Sequence, residues 1–224
     1  MSFISTKGLT KDYPLGKTTV HALRGIDIDI DKGEYLCVAG PSGAGKSTLL
    51  NILGLLDDPS TGEIEFDGAT ISGLSAREKH RFRRERVAFI FQSFNLVPVL
   101  SAYENIEFPL LIQKVEPVER KRRIMEIADE VGIREYLGHK PDELSGGQRQ
   151  RVAIARALVT RPLVVFADEP TANLDSTNGA AVLELIRRLN REEKTTFVVA
   201  SHDQKVMAEA ARTIEVVDGV VRHG

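Results

Sequence analysis

Residues 40–48 read Gly40-Pro41-Ser42-Gly43-Ala44-Gly45-Lys46-Ser47-Thr48. Gly40, Gly45, Lys46 and Ser47 stand in the register of a phosphate-binding loop. The chemistry needs these residue types. Glycines let backbone N–H groups turn inward and approach phosphate oxygens without a Cβ in the way. A helix starting near Lys46 presents unpaired amides and a positive dipole end to the same anion. Lys46 supplies a mobile ammonium for β- and γ-phosphates, and the Ser47 hydroxyl can ligate Mg²⁺. The loop follows a short apolar run, Tyr35 to Ala39, and precedes a helical one, so a nucleoside triphosphate is the expected ligand.

A second group of residues carries hydrolytic chemistry. The apolar run Leu163-Val164-Val165-Phe166-Ala167 ends in Asp168-Glu169. A strand that delivers two adjacent carboxylates at its C-terminal edge is well placed to meet a phosphate loop. Asp168 is expected to hold Mg²⁺ through water, and Glu169 to polarise the attacking water. His202 follows the run Val198-Val199-Ala200-Ser201, a position from which it can reach a γ-phosphate and hold the water in line. Gln92 ends the run Val87 to Phe91 and reads equally as a cap or as a sensor touching Mg²⁺ or water. A further anion site, Leu144-Ser145-Gly146-Gly147-Gln148, opens the helical stretch Arg151 to Leu158, with a serine hydroxyl and glycine amides at a helix start. One nucleotide already has a cradle, so a second asks for an explanation.

The elements that must position these residues follow from periodicity. Ile26, Ile28 and Ile30 alternate with Asp27, Asp29 and Asp31, which puts one strand face on a core and one in water. Tyr35–Ala39, Val87–Phe91, Leu163–Ala167 and Thr196–Ala200 are short apolar strands, and Lys46–Leu56 has helical spacing. Ile214–Val217 and Val220–Arg222 flank Asp218-Gly219, a two-residue hairpin turn. From Ser101 to Thr160 the chain reads as helical, with a charged run at Glu119-Arg120-Lys121-Arg122-Arg123 expected on a solvated face. The expected fold is α/β: a phosphate-loop core with a mainly parallel sheet, an N-terminal antiparallel β region and an inserted helical lobe. One unit over 1–224 is expected, with the core at about 1–92 and 160–224 and the lobe at about 93–159.

Composition narrows the partners. Among 224 residues, Lys plus Arg is 30 and Asp plus Glu is 32, a formal net charge of −2. That balance argues against a nucleic-acid partner. The single Cys37 cannot form an internal disulfide, which fits a reducing compartment. No apolar run approaches the ~20 residues needed to span a bilayer, and MSFISTKGLTKDY lacks a signal-peptide layout. Work at a membrane therefore requires something else to hold the chain there.

With Ser145–Gln148 in view, the chain resembles the ABC ATPase family over essentially its whole length, with the motifs in the family's order. The resemblance implies that Tyr13 stacks on adenine and that Gly40, Pro41, Ser42, Gly43, Ala44, Gly45, Lys46, Ser47 and Thr48 form Walker A. Gln92 matches the Q-loop and Ser145, Gly146, Gly147 and Gln148 the signature. Asp168 and Glu169 match Walker B and the catalytic glutamate, Asn173-Leu174-Asp175 the D-loop, and His202 the switch histidine. It implies catalysis by Lys46, Gln92, Glu169 and His202, and Mg²⁺ held by Ser47, Gln92 and Asp168. It also resolves the second cradle: the signature of one subunit caps the ATP of the other in a head-to-tail dimer.

Val20–Ile26, Leu53-Gly54-Leu55-Leu56-Asp57 and Phe91–Pro98 look like the lipoprotein-release and macrolide-exporter branch. The expected protein is then a cytoplasmic ATPase, peripheral at the inner face of the membrane through a permease subunit. That subunit is expected to dock near Gln92–Leu111, including Phe94, Leu96, Val97 and Leu100, residues that read equally as lobe core. The chain ends soon after the last hairpin, which argues against an added regulatory module. Two other classes compete. A soluble ABC ATPase without a membrane partner is disfavoured by one compact cassette without tandem copy or coiled coil. A GTPase or small-molecule kinase is disfavoured by the lack of an Asn-Lys-x-Asp guanine reader.

Overall fold

The computed structural model describes residues 2–222; Met1, His223 and Gly224, at the ends of the expected unit, lie outside them. The chain opens with β1 (Ile4–Leu15) and β2 (Thr18–Ile30). In β2 the isoleucines 26, 28 and 30 are buried and aspartates 27 and 29, with Asp31 just past the strand, face water, as their alternation demands. Next come β3 (Tyr35–Ala39), buried along its whole length, and α1 (Lys46–Leu53). The helix stops short of the expected Leu56. Gly54 is its C-cap, its N–H directed to the Leu50 and Ile52 carbonyls, and only glycine fits there because any Cβ would overlap the Phe89 ring; Leu55 then turns left-handed at φ 59°.

Next come β4 (Thr61–Phe66), β5 (Ala69–Thr70) and α2 (Ala76–Arg86), none of which had a sequence assignment. The charged α2 buries no side chain fully, so it carries no apolar stripe for periodicity to detect. After β6 (Val87–Ile90) come three helices, α3 (Ala102–Ile112), α4 (Pro117–Val131) and α5 (Gly146–Leu158). Capping boxes start α3 (Ser101 with Glu104) and α5 (Ser145 with Gln148). The charged run on α4 is paired as a surface helix face should be: Arg122 bridges Glu119 and Glu126, and Arg123 meets Glu119. The chain finishes with β7 (Val164–Asp168), α6 (Ser176–Glu193), β8 (Thr196–Ala200), α7 (Gln204–Glu209), β9 (Arg212–Val217) and β10 (Val220–Arg222).

Two sheets form. The first, β2-β1-β4-β5, is antiparallel; the second runs β10-β9-β3-β8-β7-β6 and is parallel except for β10. The fold is therefore the expected α/β class. Alternate residues of the parallel strands feed two cores. Leu36, Val38, Phe166 and Val198 join α1 and the antiparallel sheet, while Cys37, Val165, Phe197 and Val199 join α3 to α6. A sheet buried on both faces explains why its strands read as continuous apolar runs. Because the central strands are parallel, the loops after β3, β6, β7 and β8 all leave from one edge.

Candidate functional site

That edge holds a cavity of about 590 Å³. Lys46, Ser47, Gln92, Asp168 and Glu169 all face it, with Tyr13, Ser42, Gly43, Gly45 and Thr48. Val20, His21, Ala22, Arg24, Asp218 and Gly219 complete the wall and were not singled out by sequence as site residues. They come from β2 and the β9–β10 hairpin, outside the phosphate loop and the acidic pair.

Gly45 caps α1 at φ 104° and packs on the Ala22 carbonyl, where a side chain has neither room nor an allowed backbone. Lys46 is 6% exposed and folds back on its own loop, its Nζ donating to the carbonyls of Gly40 (2.7 Å) and Pro41 (3.0 Å). Burial pushes the Asp168 carboxyl above its ordinary value, while the Ser47 hydroxyl beside it and, more weakly, Lys46 pull the other way. A half-buried carboxylate beside a hydroxyl and an amide carbonyl is a set of hard oxygen donors. It suits a small divalent cation that keeps water and phosphate among its ligands. Among the described residues no group of three or more His, Cys, Asp or Glu is arranged to hold a metal ion by itself.

Glu169 lies just past β7 in a left-handed conformation, φ 46°, with its N–H bonded to the Ala200 carbonyl at 2.9 Å. Both its oxygens are engaged. His202 Nδ1 is 2.7 Å from Oε1, and Ser201 Oγ donates to Oε2 at 3.0 Å. His202 thus reaches the site through Glu169; with Gly40 and Pro41 it lines a neighbouring recess. Ser201, completely buried, was not assigned a role from sequence. Gln92 does not end a strand: β6 stops at Ile90, and Gln92 sits in the following turn, its carbonyl accepting from Asn173 Nδ2 at 3.0 Å. Tyr13 is 36% exposed and is not core packing.

Ser145, Gly146, Gly147 and Gln148 do not line this cavity. Ser145 is the N-cap of α5: its Oγ accepts from the Gln148 N–H at 3.3 Å, and Gln148 Oε1 accepts from the Ser145 N–H at 2.8 Å. The plain capping role is therefore present, and it leaves the serine O–H free to donate. Gly147 packs against Asn178, a residue hydrogen-bonded to Asp175, the N-cap of α6.

A second concavity, an apolar groove of about 410 Å³, opens between β6, α2 and α3. Phe89, Phe91, Phe108, Pro109 and Ile112 line it, with His80, Arg83, Arg84 and Arg156 among its polar residues. The four residues expected at a docking surface do not line it. Phe94 is buried and Leu96 packs on the core; Val97, 37% exposed, and Leu100 also lie off the groove. Phe94 and Asn95 both have positive φ (62° and 49°), and Arg156 of α5 holds their carbonyls at 2.8 and 2.5 Å.

The family described as ABC transporter matches residues 23–172. The chain belongs to this family. An uncharacterised ABC transporter ATP-binding protein of Thermotoga maritima is 46% identical over 209 residues, covering 93% of this chain and 89% of that protein. The macrolide export ATP-binding/permease protein MacB of Rhodopseudomonas palustris is 45% identical over 220 residues, 98% of this chain but 34% of its own length. A solved structure of the ATP-binding cassette MJ0796, a dimer in a post-hydrolysis state bound to ADP and Pi, superposes with a TM-score of 0.91. It is 41% identical and covers 98% of this chain and 97% of that one. The cassette described above is thus an ABC-type ATPase.

Proposed function

We propose that the chain hydrolyses ATP as one half of a head-to-tail dimer and drives a separate membrane subunit. The observation that carries this reading is the separation of the two anion sites. The cavity gathers Lys46, Ser47, Gln92, Asp168 and Glu169, while Ser145 at the start of α5 lies outside it. Each is half of a site, and a second copy joins them.

In this reading Tyr13 supports the adenine ring, and residues 40–48 with Lys46 hold the phosphates. Ser47, Asp168 and Gln92 would hold Mg²⁺, which would supply positive charge against the phosphate oxygens. Lys46 leaves the carbonyls of Gly40 and Pro41 for the nucleotide's phosphates. Glu169 takes a proton from the attacking water, and His202 holds that water and the γ-phosphate in line. The partner's signature serine and glycine amides cap the γ-phosphate from the opposite side. Asp175 stands at the D-loop end of α6, beside the signature of its own chain.

The apolar groove is the seat we propose for the membrane subunit, and it tethers the chain at the cytoplasmic face. Among the described residues no helix is long and apolar enough to cross a membrane. The work driven is export, lipoprotein release or mechanotransmission in this reading, and kinship with the macrolide export protein MacB supports the first of these. The division into a core over 1–92 and 160–224 and a helical lobe over 93–159 belongs to the same reading.

The test is complementation. Lys46→Ala and Ser145→Arg variants should each be inactive in ATP hydrolysis, and equal mixing should restore one intact site per mixed dimer. Activity from either variant alone, or none from the mixture despite demonstrated mixed dimers, overturns the composite site.

A further inference from the structure

Tyr13 sits on β1 facing the nucleotide cavity, and its ring is held from two sides. Its Oη donates to Asp57 Oδ2 at 2.6 Å, and Lys11 Nζ lies 4.8 Å from the ring centroid. Lys11 and Asp57 are themselves joined. The ammonium donates to Asp57 Oδ1 at 2.7 Å and to the Asp58 carbonyl at 2.6 Å. This is no loose surface pair, because the Lys11 side chain is only 12% exposed. Burial would raise the Asp57 carboxyl, but hydrogen bonds from Lys11, Tyr13 and the Asp58 amide outweigh it and hold the group below the usual range. Asp57 lies just beyond the C-terminal end of α1, the helix whose first residue is Lys46.

Tyr13 lines the cavity and Lys11 does not, so the ammonium holds the ring without itself lining the nucleotide space. An unsupported tyrosine on an outlying hairpin would lose rotamer freedom when a base stacks on it. A ring already fixed at its hydroxyl and one face has lost that freedom in advance. The geometry points to Lys11 and Asp57 as positioning residues for the base, pre-orienting Tyr13 so that the adenine end of the nucleotide, and not its phosphates, gains affinity. This rests on the reading of Tyr13 as the adenine support. It adds two residues and a link from that support to the helix that carries the phosphate loop.

The experiment measures binding of ADP, and of inorganic pyrophosphate as a base-free probe, to the full chain by calorimetry. Tyr13→Phe keeps the ring and removes its anchor; Asp57→Ala and Lys11→Met remove the two holding groups. Each is expected to weaken ADP about five-fold and to leave pyrophosphate unchanged, the effect of one lost hydrogen bond or cation contact. Tyr13→Phe combined with Asp57→Ala is expected to bind no more weakly than the weaker single variant, because both break one contact. Tyr13→Ala is expected to weaken ADP about ten-fold or more, as loss of a stacked base requires. If Tyr13→Ala binds ADP normally, the adenine support itself fails and the clamp with it. If Tyr13→Ala is weak while the other three variants bind ADP as the parent does, the support stands and the clamp is overturned. An equal loss for pyrophosphate and ADP also overturns it, since the effect then does not pass through the base.

Discussion

The Oγ of the fully buried Ser201 donates to Glu169 Oε2 at 3.0 Å. With His202 Nδ1 at 2.7 Å from the other oxygen, the carboxylate is gripped at both ends. Ser201 also accepts the Asp203 N–H at 3.1 Å, so its rotamer is set by the backbone and not by Glu169. In the proposed mechanism His202 serves the water and the γ-phosphate, and Ser201 is then the group that keeps the carboxylate aimed. Ser201→Ala is expected to lower kcat about three- to ten-fold, the worth of one hydrogen bond to a charged group, with KM for ATP unchanged. Ser201→Thr should restore most of the rate. A change confined to KM would refute this role.

Glu169→Gln keeps the shape of the side chain and removes its basicity. Turnover should fall about 10²- to 10⁴-fold, the usual worth of a positioned general base. ATP binding should survive, so this variant should elute as a dimer when ATP is present and as a monomer with ADP. Near-normal turnover would remove Glu169 from the chemistry.

Gly147 has no room for a side chain, because an added Cβ would overlap Asn178, itself bonded to Asp175 Oδ2 at 2.6 Å. Gly147→Ala must displace the asparagine and disturb the cap of α6. The expected cost is about 1–3 kcal/mol, visible in thermal or denaturant unfolding. Adding Asn178→Ala should recover much of that stability. If Gly147→Ala alone is neutral, the close packing of signature and D-loop is not maintained in solution.

Phe108 exposes 48% of its surface into the apolar groove. Phe108→Ser should leave basal ATP hydrolysis of the isolated chain within about two-fold, since an exposed substitution away from the cavity barely perturbs the fold. Copurification with the membrane subunit from detergent extracts should be lost. Undiminished copurification would move the docking seat elsewhere.

Cys37 lies in the middle of β3 with no exposed surface. Burial first, and the negative Glu169 second, push its thiol up to about 11. At pH 8 the group therefore stays a thiol in the folded chain. Iodoacetamide is expected to label it only after unfolding, as mass spectrometry would read directly. Rapid labelling of the native protein would contradict the packing of the central sheet.

Motifs were legible wherever the chemistry is contiguous. The run 40–48 needs its glycines, lysine and serine as neighbours, because one turn and one helix start deliver all the donors. The strands β3, β7 and β8 showed through as apolar runs because both faces of the parallel sheet are covered. By contrast, α2 left no periodic trace, since it lies on the surface with a charged face and buries no side chain fully. The expected docking residues Phe94 and Leu96 turned inward because their apolarity serves the core, a distinction that composition alone does not carry.

The amino-acid order by itself determined that a phosphate-loop pattern, an acidic pair and a second glycine-and-serine helix start exist in one α/β chain. Each depends on backbone geometry within a few residues. Only the tertiary structure decided which groups meet. Parallel strand order brings Gln92, Asp168 and Glu169 to one edge with the phosphate loop, and puts Ser201 and His202 against Glu169. The packing of the antiparallel sheet on the end of α1 joins Lys11 to Asp57 across 46 residues, and the fold leaves Ser145 outside its own chain's cavity. Contacts between segments so distant in sequence arise from how sheets and helices bury their apolar faces, and no local pattern records them.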